Sequence, residues 1–226
     1  NLDCLVLVNP DNPTGNYISR KGMLKLARWT KEKNIRFLAD ESFVDFSEEA
    51  EPTLLVEELL DENPHMIVVK SISKSYGIPG LRLGVAASGD TDLIGQLKKD
   101  VAIWNINSFG EFYMQIEEKY RKDYDSALDK LRGERTRFAE KLSNLPGVRV
   151  FPSQANYLMV ELTGKSISAT EITELLLTRY NLFIKDLSSK ISRNGRQFLR
   201  IAIRNEAEDN ILVKALKEIL AQCSKQ

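Results

Sequence analysis

The sequence has few of the residues that several common kinds of functional site require. Its two cysteines, Cys4 and Cys223, lie near opposite ends of the chain, without the short spacing of a metal-binding or redox pair. Its one histidine, His65, follows Asn63 and Pro64 and is therefore expected in a loop. A single histidine gives little support to a histidine-rich metal site or to a Ser-His-Asp triad. We therefore predict no metal site.

The sequence also lacks an excess of charge and a long apolar run. The 32 Lys and Arg residues balance the 32 Asp and Glu residues. A neutral chain has no bulk electrostatic attraction for nucleic acid or for an anionic membrane. No segment approaches the roughly eighteen consecutive apolar residues of a membrane-spanning helix, and none resembles a signal peptide. We therefore predict a cytoplasmic protein without nucleic-acid or membrane partners.

Strand and helix patterns alternate through the first half of the chain of 226 residues. Such alternation favours a largely parallel sheet covered by helices. Strands are predicted at residues 2–8, 35–39, 66–70 and 83–87, and helices at residues 20–33, with Ser19 as N-cap, and 53–60.

A different pattern follows in the second half. Residues 109–143 are predicted to be helical, and short strands and helices after them indicate a smaller α+β unit. The strands are predicted near residues 148–151, 156–162, 182–185 and 198–204, and the helices near 168–180 and 206–221.

The segment NPDNPTG, residues 9–15, directly follows an apolar run that is typical of a buried strand. Its prolines push Asn9 and Asn12 out of the helical region, and Gly15 adopts a positive φ at little cost. The segment therefore predicts a rigid turn at the carboxyl end of a strand, where open α/β sheets bind ligands. Taken alone, the motif is also compatible with a simple connecting turn.

A second polar cluster, SISKSYGIPGLRLG at residues 71–84, follows the strand predicted at residues 66–70. It places Lys74 among hydroxyl groups, and Asp40 ends the preceding predicted strand. A partly desolvated lysine at such an edge is a nucleophile for carbonyl groups, although most lysines are solvated surface residues. The hydroxyls of Ser71 and Ser73 and the guanidinium of Arg82 are donors suited to a phosphate.

Together, NPDNPTG, DESF (residues 40–43), SISKSYGIPGLRLG and FLRIAIR (residues 198–204) resemble the signature of class I/II aminotransferases of fold type I, which depend on pyridoxal 5'-phosphate (PLP). The most similar branch contains histidinol-phosphate aminotransferase and threonine-phosphate decarboxylase. The resemblance implies a three-layer α/β/α large domain, incomplete here, over residues 1–118. A smaller C-terminal α+β domain would cover residues 119–226. The match covers about the last two-thirds of a family member, so a preceding N-terminal segment of the same chain is expected.

The resemblance implies a role for each matched residue. Lys74 corresponds to the lysine that forms a Schiff base with PLP and later carries a proton, and Asp40 to the carboxylate that pairs with the ring nitrogen. Asn12 corresponds to the asparagine that binds the phenolic oxygen of the cofactor. The phosphate binders would be Ser71, Ser73 and Arg82, and the substrate binders would be Arg200, Lys185 and Asn156.

Two positions depart from the common aminotransferase pattern. Phe43 stands where many members carry a tyrosine that bonds the cofactor, and Lys185 stands where the aminotransferase has an arginine. We predict a homodimeric aminotransferase that moves an amino group between an amino acid, acidic or phosphorylated, and a 2-oxo acid. The alternatives are a decarboxylase of a phosphorylated amino acid, which Phe43 and the segment WNINS (residues 104–108) favour, and a non-catalytic module of a larger chain.

Overall fold

The computed structural model describes residues 2–164, 166–191 and 194–223. These residues divide into two units by their internal contacts. Unit 1 contains the chain up to Asp11 and from Tyr17 to Leu128. Unit 2 contains Asn12–Asn16 and the chain from Asp129 onward. The turn NPDNPTG is thus divided between the two units.

Unit 1 is built on a four-stranded mixed sheet in the order β1-β2-β3-β4. Its strands are β1 (Cys4–Val8), β2 (Arg36–Asp40), β3 (Met66–Ser71) and β4 (Gly84–Ala87). The first three strands are parallel, and Asp40 is in register with Val8 on one side and with Val69 on the other. The carboxyl ends of β1 to β3 therefore share one edge of the sheet.

The prediction of a largely parallel sheet holds for three strands but not for β4, which runs antiparallel to β3. The connection between these two strands contains only a single helical turn, α3 (Ile72–Ser75), and a 3-10 turn, Pro79–Leu81. A parallel neighbour needs a long crossover connection, usually a full helix. The chain therefore returns beside β3 in the opposite direction.

The helices of unit 1 are α1 (Arg20–Glu32), α2 (Glu57–Glu62), α3 (Ile72–Ser75), α4 (Thr91–Asp100) and α5 (Ser108–Ile116), and α6 (Arg121–Ser143) extends into unit 2. Among them, α1, α2, α5 and α6 correspond to predicted helices, whereas the sequence analysis does not predict α3 and α4. The Ser19 side chain caps α1 by accepting a hydrogen bond from the Gly22 N–H at 3.3 Å. The helical stretch predicted from residue 109 is interrupted by a 3-10 turn, Glu117–Tyr120. None of the described helices is both long and apolar enough to cross a membrane.

The helix predicted at residues 53–60 begins later, at Glu57, and Val56 before it is extended, with φ of −130° and ψ of 129°. Glu41 is 1% exposed and accepts hydrogen bonds from the Thr53 hydroxyl at 2.6 Å and from the Leu54 N–H at 2.7 Å. These bonds hold Thr53 and Leu54, which precede the start of α2, against the Glu41 carboxylate. Burial raises the pKa of Glu41.

Unit 2 contains an antiparallel sheet in the order β5-β6-β8-β7, which agrees with the predicted α+β pattern. Its strands are β5 (Val148–Val150), β6 (Tyr157–Leu162), β7 (Lys185–Asp186) and β8 (Gln197–Ala202), and its further helices are α7 (Ala169–Tyr180) and α8 (Glu206–Cys223). The strand predicted at residues 182–185 is shorter because the Leu182 N–H still bonds the Leu176 carbonyl, which closes the end of α7.

The two faces of this sheet have different roles. Alternate residues of β6 and β8, including Leu158, Val160, Leu199 and Ile201, are buried in one core cluster with residues of α6, α7 and α8. Successive strand residues point to opposite faces, so Arg200 lies on the face away from these helices. Arg200 is partly exposed on this second face, where Met159 and Phe198 are buried in a separate cluster with Leu187.

Candidate active site

Lys74 lies on the single turn of α3, directly after the carboxyl end of β3, and its side chain is exposed. Its Nζ is 5.0 Å from the centroid of the Phe43 ring. Phe43 itself is only 7% exposed, so the ring is a fixed surface against which the amine rests. A lysine over an aromatic face is attracted electrostatically by the ring.

Asp40 ends β2 at the same edge of the sheet. Its Oδ1 accepts a hydrogen bond from the Ser42 N–H at 2.9 Å. The Ser42 hydroxyl oxygen in turn accepts a hydrogen bond from the Ser71 N–H at 3.1 Å. Ser42, which the sequence analysis did not assign, therefore links the segment after β2 to the end of β3. The structure brings Asp40, Ser71 and Lys74 to one region of unit 1.

The three residues predicted to bind phosphate lie in different surroundings. Ser71 is partly exposed and Arg82 is exposed, with φ of 57° and one guanidinium N–H donated to the Pro79 carbonyl at 3.2 Å. Ser73 is 2% exposed, and its hydroxyl donates to the Leu83 carbonyl at 3.2 Å. Ser73 would have to turn its hydroxyl to donate to a phosphate. The phosphate-binding role of all three residues remains a prediction.

The groups collected in unit 1 fit PLP chemically. Lys74 offers a primary amine for an aldehyde, Asp40 a carboxylate for a protonated ring nitrogen, and Ser71 and Arg82 donors for a phosphate. These groups follow two neighbouring parallel strands, which is where α/β sheets bind ligands.

In unit 2, the structure brings together two predicted site residues that are 188 positions apart. The Arg200 guanidinium donates a hydrogen bond to Asn12 Oδ1 at 2.7 Å. It also lies over the Tyr157 ring, with 5.3 Å between the guanidinium carbon and the ring centroid. Tyr157, which the sequence analysis did not assign, therefore packs against the Arg200 guanidinium with its ring face.

Lys185 and Arg200 are directly opposite each other in the antiparallel pair of β7 and β8. Their side chains therefore leave the same face of the sheet. Like charges at directly opposed positions destabilise a sheet. Within the described part of the chain, neither cation forms an ion pair with a carboxylate. Such a pair of cations is suited to an anionic ligand with two acidic groups.

Asn156, the third predicted substrate binder, precedes β6. It is half-buried, and its carbonyl accepts a hydrogen bond from the Ile203 N–H at 3.0 Å. Asn156 thus lies directly before the first residue of β6, the strand that pairs with β8. Its substrate-binding role remains a prediction.

The turn NPDNPTG is fixed at both of its ends, and both of its X-Pro bonds are cis. Asn9 is 3% exposed, and its side-chain amide exchanges two hydrogen bonds of 2.8 Å with the main chain of Ile18. This clamp closes the turn within unit 1. The sequence analysis identified Asn9 only as a turn residue. The available signal was that Asn9, like Asn12, directly precedes a proline.

The other end of the turn is held within unit 2. Gly15 has φ of +74°, and its carbonyl accepts a hydrogen bond from the Gln154 N–H at 2.9 Å. A Cβ atom on Gly15 would lie 2.6 Å from the Ser153 Cβ and 3.0 Å from the Ser153 Cα. This close approach requires glycine, and it fixes the segment in which Asn12 meets Arg200.

We expect Gly15→Ala to destabilise the protein by about 2–4 kcal/mol, because it adds a steric clash to an unfavourable positive φ. Gly147→Ala is the matched control, since Gly147 has φ of +73° with nothing nearer than 3.6 Å to an added Cβ. The control should cost only about 1–2 kcal/mol. Urea unfolding monitored by circular dichroism measures both values. Equal costs would contradict the proposed clash with Ser153.

An ion pair that the sequence analysis did not assign lies beside α3. The Lys70 Nζ is 2.6 Å from Asp45 Oδ1, and the two side chains are 13% and 16% exposed. Tyr76, directly after α3, stacks on Tyr124 with ring centroids 4.3 Å apart. Both contacts connect the lysine-bearing segment to other parts of unit 1.

Several large apolar side chains of unit 1 are exposed in one segment. Ile103 and Trp104 are each 92% exposed, Phe109 is 79% exposed and Phe112 is 60% exposed. Exposed apolar groups in such number are typical of a surface that contacts another protein. They are compatible with the homodimer that the resemblance implies, which remains a prediction.

Comparison with known proteins identifies the family. The model of the family "Aminotransferase class I and II" matches residues 1–216. CMP-5'-(3-aminopropyl)phosphonate synthase of Streptomyces rubellomurinus is 36% identical over 97% of this chain and 34% of its own length. L-serine phosphate decarboxylase of Sulfurospirillum multivorans is 37% identical over 96% of this chain and 56% of its own length.

A solved structure shows the same fold. The structure of a decarboxylase from Sulfurospirillum multivorans, 37% identical, superposes with a TM-score of 0.86 over 96% of this chain and 62% of that protein. The chain thus spans less than two thirds of the length of these relatives. It belongs to the class I and II aminotransferase family, whose members use PLP, and it has the α/β fold of that family.

Proposed function

We propose that the protein is a PLP-dependent decarboxylase of a phosphorylated amino acid. The observation that carries the proposal is the placement of Lys185 directly opposite Arg200 in the antiparallel pair of β7 and β8. A phosphorylated amino acid has two acidic groups, a carboxylate and a phosphate. Each of them needs a cationic partner, and arginine and lysine are the residues that supply it.

The names of the relatives support decarboxylation as the reaction. One relative at 37% identity is an L-serine phosphate decarboxylase, and the superposed structure at 37% identity is a decarboxylase. Phe43 agrees with this choice, since it packs against Lys74 without the hydroxyl that many aminotransferases carry there. The relatives are longer than this chain, so the activity belongs to the full-length protein.

The residues of unit 1 would hold the cofactor and move a proton. Lys74 Nζ would bind PLP covalently until the substrate amine takes its place, and the Asp40 carboxylate would keep the ring nitrogen protonated. When bound, PLP supplies an electron-accepting ring that stabilises negative charge on the substrate α-carbon. Lys74, released as the ammonium after taking a proton from the incoming substrate amine, would then donate a proton to that α-carbon once carbon dioxide has left. The exposed position of Lys74 leaves its amine free to do so.

Transamination, the reaction that the sequence analysis placed first, is the second candidate. The family description favours it, because the family model is that of class I and II aminotransferases. The same residues would serve, but Lys74 Nζ would remove the α-hydrogen and the substrate would keep its carboxylate. The orientation of the bonds at the α-carbon decides between the two reactions.

The test uses the full-length protein loaded with PLP, without a 2-oxo acid. Phosphoserine and phosphothreonine are added, with serine, aspartate and glutamate as unphosphorylated controls. Released carbon dioxide and the conversion of PLP to pyridoxamine phosphate are measured together. We expect carbon dioxide from the phosphorylated amino acids, with PLP retained.

Each other outcome has a distinct meaning. Pyridoxamine phosphate without carbon dioxide would replace decarboxylation with transamination. Carbon dioxide from aspartate or serine in preference to the phosphorylated amino acids would contradict the substrate class. No reaction with any of these compounds would contradict both candidate activities and would favour a non-catalytic module.

A further inference from the structure

The helix that carries Lys74 has only four residues, so contacts with other segments must fix it. The Ser73 hydroxyl donates to the Leu83 carbonyl, and the Ser71 N–H donates to the Ser42 hydroxyl oxygen. These bonds hold the backbone just before Lys74. They leave its side chain to be oriented by another contact.

That contact is the ring of Phe43, 5.0 Å from Lys74 Nζ. Phe43 directly precedes the 3-10 turn Val44–Phe46, which contains only three residues. Such a short turn has little stability of its own. Val44 and Phe46 are 0% and 3% exposed, so apolar packing holds the turn, and a polar contact can fix the direction of the ring further.

Asp45, in the middle of the turn, supplies an anchor. Its Oδ1 is 2.6 Å from the Nζ of Lys70, which lies on β3 four positions before Lys74. Both side chains are mostly buried, at 16% and 13% exposure, so the pair is weakly screened by water. The ion pair thus ties the turn that follows Phe43 to the strand that leads to Lys74.

Other charged and aromatic groups face the same pair. Glu41 is buried nearby, and the charge of Lys70 partly opposes the rise that burial causes in the pKa of Glu41. Burial and then the Asp45 carboxylate raise the pKa of Tyr124. Tyr124 stacks on Tyr76, which directly follows α3. The groups around Asp45 therefore also contact the segment that follows Lys74.

From these contacts we propose that Asp45 is a positioning residue, which acts through Lys70 and Phe43 to hold the Lys74 amine in the direction needed to bond PLP. The inference rests on the proposed function, because it requires Lys74 to bind the cofactor. Without Asp45, the Lys70 ammonium would be mostly buried without its counter-charge, which is strongly unfavourable. The turn would shift, and the ring of Phe43 would move relative to Lys74.

The test compares Asp45→Asn, Asp45→Glu and the unaltered full-length protein. One readout is the rate at which Lys74 forms a borohydride-reducible bond with added PLP. The other is the visible circular dichroism of the bound cofactor, which reports its orientation. We expect Asp45→Asn to slow bond formation about tenfold and to reduce the dichroism by about half or more, because a small displacement of a reacting group is costly. Asp45→Glu should restore most of both values.

Glu51→Gln is the matched control. Glu51 also forms an ion pair in unit 1, with Arg20 at 2.8 Å, but its side chain is 83% exposed. This control should leave the bonding rate and the dichroism unchanged, because exposed ion pairs contribute little. A loss of the same size in Glu51→Gln would overturn the specific role of Asp45.

If Asp45→Asn does not fold, the double variant Asp45→Asn with Lys70→Met replaces it, since it leaves no buried unpaired charge. The expectation is the same, because the turn is still without its anchor. Unchanged rate and dichroism in a folded variant, even with a lower Tm, would overturn the proposal. Absence of a reducible bond on Lys74 in the unaltered protein would instead overturn the proposed function, and the inference with it.

Discussion

Replacing Lys74 with alanine is expected to abolish the coloured, covalently bound form of PLP and to lower turnover by about 10³-fold or more. Two functions are lost together, covalent attachment of the cofactor and proton transfer at the substrate α-carbon, and proton transfer alone contributes about 10²–10⁴-fold in enzymes. The measurements are the visible absorption spectrum after loading with PLP and the rate of product formation by the full-length protein.

The fold should not change in this variant, because the Lys74 side chain is exposed. The matched control is Lys98→Ala, which removes an exposed lysine from the last turn of α4 in the same unit. Its spectrum and turnover should equal those of the unaltered protein. Turnover that survives in Lys74→Ala would show that Lys74 is not the catalytic lysine.

Replacing Arg200 should weaken substrate binding. Arg200→Lys keeps the charge but loses the planar fork that binds a carboxylate with two hydrogen bonds, so we expect KM to rise about tenfold. Arg200→Ala should raise KM about 100-fold, because the bond to Asn12 and the charge are lost together. Initial rates over a range of substrate concentrations separate KM from kcat.

Arg204→Lys is the control for Arg200→Lys. Arg204 lies four positions further along the chain, is exposed, and pairs with Glu208 at 2.9 Å. Its replacement should leave KM within about twofold, as exposed ion pairs contribute about 0–1 kcal/mol. An unchanged KM in Arg200→Ala would show that the cation on this face does not bind the substrate.

Much of the fold follows from local patterns. The apolar runs at β1, β2 and β3 and the cap at Ser19 are signals within a few residues, and the structure confirms the elements they predict. The predictions differ from the structure where a segment contacts residues that are distant in the sequence. Thr53 and Leu54, which precede the start of α2, donate hydrogen bonds to the Glu41 carboxylate 12 and 13 positions earlier.

The predicted site shows the same division. The motifs identified Lys74 and Asp40 as candidates, since an amine and a carboxylate at the ends of neighbouring strands are chemically distinctive. No local signal identified Ser42, Asp45 or Tyr157, because their roles depend on partners that are remote in the sequence. A serine, an aspartate and a tyrosine are ordinary residues until their neighbours are known.

The sequence alone determined the family, the candidate cofactor and the chemical groups available to bind it, because these depend on which residue types occur in which order. Only the tertiary structure decided that Arg200 donates a hydrogen bond to Asn12 and that Lys185 lies opposite Arg200. It also decided that the Ser73 hydroxyl donates to the Leu83 carbonyl. Strand register and burial create these contacts, and both result from packing of segments that are far apart in the sequence.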